Sequence, residues 1–167
     1  MYENWFEATY LLETLMMKAA GQDENGVDLS FTMGDGSLKN YKSSSNIKKA
    51  MESDSVRPKS GMHSDLRPSF GSIFEKYIQD LRRQEKSHSS VVKDLTVIVL
   101  TDGIWKGMSD KHEIDRKIVA FIKQVENITG NMKERRVSIE FVQFGKDAEA
   151  TARLRRLDDN LKYDGIS

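Results

Sequence analysis

Apolar and polar residues follow helical spacing in most of the chain. Side chains recurring every three or four residues predict long helices over residues 2–20 and 68–86, a third around residues 114–125, and a last one over residues 147–161. A shorter helix is predicted over residues 46–53, after a serine-rich segment that suits a helix cap.

Four segments show strand patterns instead. Residues 27–33 alternate apolar and polar positions, and a turn at residues 34–36 leads to a short edge strand over residues 37–41. Residues 95–100 form an apolar run typical of a parallel strand buried on both faces, and residues 137–144 form another strand. Strands alternating with helices predict an α/β fold, a Rossmann-like, mostly parallel sheet with helices on both faces. At 167 residues the chain is expected to be one domain, 1–167.

Composition and charge narrow the function classes. The chain has 26 basic and 26 acidic residues, a net charge of +0, whereas nucleic-acid and anionic-membrane binders are usually basic. We therefore expect no nucleic-acid or membrane partner. With 0 cysteines, thiolate metal sites, disulfides and cysteine nucleophiles are excluded. No apolar run approaches the roughly 20 residues of a membrane span, and the first residues are acidic where a signal peptide would be basic. A cytoplasmic location is expected.

Candidate chemistry lies where the strands end, because ligands bind beyond the carboxyl ends of parallel strands. Asp102 follows the apolar run directly, and its carboxylate suits a hard cation such as Mg²⁺. On these residues alone, a turn or helix cap at Asp102-Gly103 is the favoured interpretation. Ser64, in the loop before the second long helix, is a metal-ligand candidate or a cap, and Asp65 suits either role.

Other polar clusters favour structural roles. The three histidines have no metal-site or relay spacing. The arginines near the end of the chain predict a charged helix face balanced by Asp158 and Asp159, with an acidic partner as the alternative. Trp5 and Trp105 are expected in the core or lining a crevice, and an exposed partner anchor is the weaker interpretation.

Three segments together resemble a von Willebrand factor type A domain, most closely the intracellular fungal members. Residues 97–105, Val-Ile-Val-Leu-Thr-Asp-Gly-Ile-Trp, are similar to the family's fourth strand and its Thr-Asp-Gly end. Residues 64–70 resemble the loop written Thr-Asp-Leu-x-Pro-Ala-Leu, and residues 141–145 with 152–159 resemble the fifth strand and its helix in the fungal subgroup. The resemblance covers essentially the whole chain.

This resemblance implies a metal-ion-dependent adhesion site built by five side chains from three loops. Asp102 matches the third-loop aspartate, and Ser64 stands where the second-loop threonine is expected. The first loop, Asp-x-Ser-x-Ser, is absent, and Met1 stands where a methionine often follows it. We therefore expect a truncated domain that starts at an internal methionine and lacks the central first strand and the last strand. Mg²⁺ binding by such a chain is expected to be weak or absent.

The resemblance favours a non-enzymatic protein–protein interaction module, in which a partner's acidic side chain completes the metal site. One alternative is a Mg²⁺-dependent phosphohydrolase-like enzyme with Asp102 as nucleophile or ligand. It is weaker because the other strand ends offer only Asp35 and Asp147. A structural scaffold with a lost metal site is the other alternative.

Overall fold

The computed structural model describes residues 1–19, 26–32, 37–41, 44–62, 64–87, 91–108, 110, 112–130 and 136–159. These residues form a mixed α/β structure, as the sequence predicts. The elements follow in the order α1 (Trp5–Ala19), β1 (Val27–Ser30), β2 (Ser37–Tyr41), α2 (Ser44–Met51), α3 (Arg67–Ser87), β3 (Leu95–Thr101), α4 (Glu113–Thr129), β4 (Val137–Gln143) and α5 (Ala148–Asp159).

Strand pairing confirms the parallel arrangement of the two long strands. β3 and β4 pair in parallel from Leu95 opposite Val137 to Thr101 opposite Gln143, so their carboxyl ends meet at one edge. β1 and β2 pair antiparallel, as expected of a hairpin. The described residues thus form two separate two-stranded sheets, where the sequence predicted a single, mostly parallel one. The turn predicted at residues 34–36 lies outside the described residues.

The larger core lies between β3, β4 and the helices α3, α4 and α5. α3 and α4 pack together through the rings of Phe74 and Phe121, which stack with centroids 3.9 Å apart. Trp105 is buried in the same core and contacts Phe141 of β4 with centroids 6.3 Å apart. This burial confirms the core position predicted for Trp105, and it brings the loop after β3 into the core.

A second, smaller core joins α1 and α2. Its buried residues are Leu12, Met16, Ile47 and Met51. The half-buried Trp5 packs against it and donates an indole hydrogen bond to the carbonyl of Met51 at 3.1 Å. Side chains from β1 and from the end of β3 pack against this core as well: Val27, Leu29 and Leu100. The two sheets therefore share one apolar cluster.

The burial of β3 differs from the prediction. The apolar run was expected to be buried on both faces, but positions 95–98 alternate between half-buried and exposed, positions 99 and 100 are half-buried, and the strand ends at the buried Thr101. Ile98 is 42 % exposed. The prediction of two-sided burial is wrong for the described structure, because the smaller core covers the Ile98 face of β3 at Leu100 but leaves Ile98 itself exposed.

Helix and strand ends shift by a few residues from their predicted positions. α1 begins at Trp5 rather than residue 2, because the preceding residues form a turn in which the Asn4 amide donates to the Met1 carbonyl at 3.1 Å. β1 ends at Ser30, short of the predicted residue 33, and residue 33 is outside the described part. α5 is described to Asp159.

Candidate metal site at the ends of the parallel strands

The candidate site is the loop that follows β3. The Phe144 amide, just past β4, donates to the Thr101 carbonyl at 2.8 Å, so the two parallel strands stay paired to their last residue. Residues 101–105 and 144–147, which follow the two parallel strands, therefore lie side by side, whereas residues 33–35, which follow the first predicted strand, lie outside the described part.

Thr101 organises this loop through its hydroxyl group. The side chain is buried, and its oxygen accepts hydrogen bonds from the Gly103 amide and from the indole nitrogen of Trp105, both at 3.0 Å. A buried hydroxyl with two donors is fully used as an acceptor. Thr101 therefore has a structural role that the sequence did not reveal. The sequence signal that could have indicated this role is the position of Thr101, a polar residue at the end of an apolar strand.

Gly103 is required by its backbone conformation and by a close neighbour. Its φ is +72°, a region that residues with a Cβ rarely adopt. A Cβ at this position would lie 2.7 Å from the Cβ of Ala150 in α5. The glycine thus allows α5 to pack directly on the loop.

Arg153 holds the other side of this contact. Its guanidinium donates a hydrogen bond to the Gly103 carbonyl and lies 5.2 Å from the centroid of the Trp105 ring. Arg156 pairs with Asp115 of α4, with nitrogen and oxygen 3.1 Å apart. Arg153 and Arg156 thus reach other parts of the fold, and the charge balance expected with Asp158 and Asp159 stays a prediction.

Asp102 lies in the same loop with a mostly buried side chain, 16 % exposed. One carboxylate oxygen accepts a hydrogen bond from the Ile104 amide at 3.0 Å, which is the turn role considered for this residue. The other oxygen contacts the amino nitrogen of Met1. Burial lowers the pKa of this amino group, and the charge of Glu3 opposes the shift.

Ser64 contacts the same loop from the segment before α3. Its hydroxyl donates to the Ile104 carbonyl at 3.2 Å, and its own carbonyl accepts from the Gly107 amide at 3.2 Å. A Cβ on Gly107 would lie 2.9 Å from the Ser64 carbonyl oxygen. The side chains of Ser64 and Asp102 therefore both hydrogen-bond to the backbone of one residue, Ile104.

Asp65 takes the capping role that was open between it and Ser64. Its carboxylate accepts from the Arg67 amide at the start of α3 at 2.9 Å and pairs with the Arg67 guanidinium at 2.6 Å. Arg67 also reaches Glu113 of α4 at 3.1 Å. The hydrogen bond from Arg67 lowers the pKa of Asp65, and the two acids raise the pKa of Arg67. Asp65 is thereby committed to the scaffold.

The remaining candidates do not join the site. Asp147 accepts a hydrogen bond from the Ala150 amide at 2.8 Å and so caps α5. His112 is exposed, as expected, and contacts Asp115. Asp35, His63 and His88 lie outside the described residues. Over the described part of the chain, no three His, Cys, Asp or Glu side chains are grouped as metal ligands.

In chemical terms the described site offers one carboxylate, one hydroxyl and backbone carbonyls. These are oxygen ligands of the kind that Mg²⁺ prefers, but a single carboxylate gives a weak site.

Among the described helices, none combines the length and apolar character needed to cross a bilayer. Comparison with known protein families, with curated proteins and with solved structures finds no match.

Proposed function

We propose that this chain is a non-enzymatic protein–protein interaction module of the von Willebrand factor type A kind, with a divalent-cation site only partly built from its own residues. The observation that carries the proposal is the meeting of Ser64 and Asp102 at Ile104, at the carboxyl end of a parallel strand. Two residues 38 positions apart, chosen from the sequence as oxygen ligands, contact the same residue.

In this proposal Asp102 and Ser64 hold Mg²⁺, and the remaining positions belong to water and to an acidic side chain of the protein partner. When bound, the ion supplies positive charge that attracts that carboxylate. Asp102 already accepts one hydrogen bond and contacts the Met1 amino group, so a cation competes with that group for one carboxylate oxygen. Weak affinity is therefore the expected property of the chain.

The proposed architecture has one further parallel strand between β1 and β3. One feature supports it. Leu29 of β1 and Leu100 of β3 pack against one apolar cluster, although the two strands belong to separate sheets in the described structure. A strand in this position ends beside Asp102, next to Met1.

Metal titration tests the site. Mn²⁺ binding is followed by water-proton relaxation, with Mg²⁺ as competitor, for the chain and for Asp102→Asn and Ser64→Ala. We expect weak binding that is lost in Asp102→Asn and reduced in Ser64→Ala. Asp110→Asn is the control, because the Asp110 carboxylate pairs with Arg116 of α4. Equal binding by the chain and Asp102→Asn contradicts the proposal.

A designed fusion tests the missing ligands. An apolar strand ending in Asp-x-Ser-x-Ser is joined before Met1, and a matched fusion ends in Asn-x-Ala-x-Ala. We expect the first fusion to bind Mg²⁺ more tightly than the chain and the second to bind no better. Hydrolysis of a phosphate monoester by the first fusion would favour the enzyme alternative. A fold unchanged by either fusion, with no metal binding, would favour the scaffold.

A further inference from the structure

The outward side of α1 carries large apolar side chains. Phe6 is 84 %, Tyr10 68 % and Met17 64 % exposed, while Leu12 and Met16 on the opposite side are buried in the smaller core. Single exposed apolar residues are normal, but several on one helix face mark an interaction surface. We call the residues Phe6, Tyr10, Glu13 and Met17 the outer face of α1.

The spacing of these residues is that of a helix-pairing seam. Positions 6, 10, 13 and 17 are separated by four, three and four residues, which is the a/d repeat of a coiled coil. At 100° per residue they fall within an arc of about 60°. The outer face is therefore a narrow stripe suited to one partner helix.

We propose that the outer face of α1 packs antiparallel against the same face of a second copy of this chain. In that arrangement Phe6 faces Met17 of the second copy, and Tyr10 faces its Glu13. A thioether against an aromatic ring is a favourable contact. A tyrosine hydroxyl donates a hydrogen bond to a carboxylate, which satisfies the one charged residue within the seam. Two-fold symmetry repeats both contacts, so the helix pair has four layers of facing side chains along its length.

Charge on the flank of the stripe selects this orientation and this partner. Glu7 and Lys18 are both exposed and lie on the same side of the outer face. An antiparallel pair places Glu7 near Lys18 of the second copy at both ends of the seam. In a parallel pair the Glu7 side of one helix would face the opposite side of the other helix, so Glu7 and Lys18 would not meet. The surface is thus complementary to itself in one orientation. Because the seam is a single helix pair, the association is expected to be weak.

Charge exchange tests the proposal. Sedimentation of the whole chain over a concentration series is expected to show a monomer–dimer equilibrium. Glu7→Lys and Lys18→Glu, each alone, bring like charges together at both ends, and we expect each to weaken dimerisation three- to tenfold. An equimolar mixture of the two variants restores both ion pairs and is expected to regain the original affinity. Circular dichroism confirms that each variant keeps its helix content.

A second measurement uses the absence of cysteine in the chain. Phe6→Cys and Met17→Cys are mixed and oxidised, and the mixed disulfide is expected to exceed either self-disulfide. A chain that stays monomeric at all concentrations overturns the proposal. A mixture of Glu7→Lys and Lys18→Glu that dimerises no more tightly than either variant alone also overturns it. Preferred self-crosslinking of Phe6→Cys would indicate parallel pairing and would also overturn it. Binding of the monomer to anionic vesicles through the outer face of α1 would likewise overturn the proposal.

Discussion

The hydroxyl of Thr101 accepts a hydrogen bond from the indole of Trp105, with oxygen and nitrogen 3.0 Å apart. The same oxygen accepts from the Gly103 amide, so the loop after β3 folds back on the residue that ends the strand. Asp102 lies inside this closed loop and contacts the Met1 amino group. In the Thr-Asp-Gly segment, Thr101 and Gly103 therefore build the loop, and Asp102 is the residue on which the proposed cation site depends.

Thr101→Val is expected to destabilise the fold. The valine has nearly the same shape but leaves the Gly103 amide and the Trp105 indole without their acceptor in a buried place. A buried donor left without a partner costs about 1–3 kcal/mol. Urea unfolding measures the change, and Thr101→Ser, which keeps the hydroxyl, is the control. Equal stability of Val and Thr at this position would contradict the role given to the hydroxyl.

Gly107→Ala is expected to displace Ser64. The added Cβ would lie 2.9 Å from the Ser64 carbonyl oxygen, so one of the two segments must move. We expect a lower unfolding temperature and weaker Mn²⁺ binding. Gly71→Ala is the matched control, because the nearest atom to its Cβ is the flexible end of Lys117 at 3.7 Å. In the α3 interior that change is expected to stabilise by up to about 1 kcal/mol. Gly107→Ala is thus expected to lower the stability of the fold and Gly71→Ala to raise it.

The sequence predicted the helices and strands well because their signals are local. Periodicity located α3 and the parallel pair β3–β4, and the core position expected of Trp105 is confirmed by its burial. The pairing of β1 with β2 followed from their closeness in the chain. The two-sided burial of β3 failed, because burial depends on which elements cover a strand, and periodicity carries no such information.

The candidate site residues were also chosen on local signals. Asp102 was chosen from its place after an apolar strand and Ser64 from its loop, and their role as metal ligands stays a prediction. The contacts of Arg153 with Gly103 and Trp105 join residues about 50 positions apart, and charge patterning within one helix pointed to near neighbours instead. Long-range pairs of this kind are specified by packing.

Arg153→Gln is expected to loosen the contact between α5 and the loop after β3. It removes a charge-assisted hydrogen bond to Gly103 and a cation over the ring of Trp105. Together these are worth about 1–3 kcal/mol at a half-buried position. Arg155→Gln, at an exposed position of the same helix, is the control and is expected to change stability little. Unfolding is followed by tryptophan fluorescence. Identical midpoints for the two variants would show that Arg153 contributes nothing at this contact.

Asp65 makes the stability of the fold depend on pH at the acid end. The hydrogen bond from Arg67 lowers its pKa below the ordinary value of 3.8, so the folded state binds this proton less readily than the unfolded state. The stabilisation is therefore complete above pH 4 and is lost as the pH falls through the lowered pKa. Asp65→Asn keeps an oxygen that can accept from the Arg67 amide but removes the charge, which isolates the ion pair.

We expect Asp65→Asn to be less stable than the parent near neutral pH, with the difference shrinking below pH 4. Urea unfolding from pH 2.5 to pH 7 measures it. Arg67→Gln and the double variant complete a cycle, whose coupling should vanish over the same acid range. Because Arg67 also pairs with Glu113, the Arg67→Gln variant is expected to lose more than Asp65→Asn. A coupling that is constant with pH would mean that the Asp65–Arg67 contact holds α3 through packing and the amide hydrogen bond, without its charge.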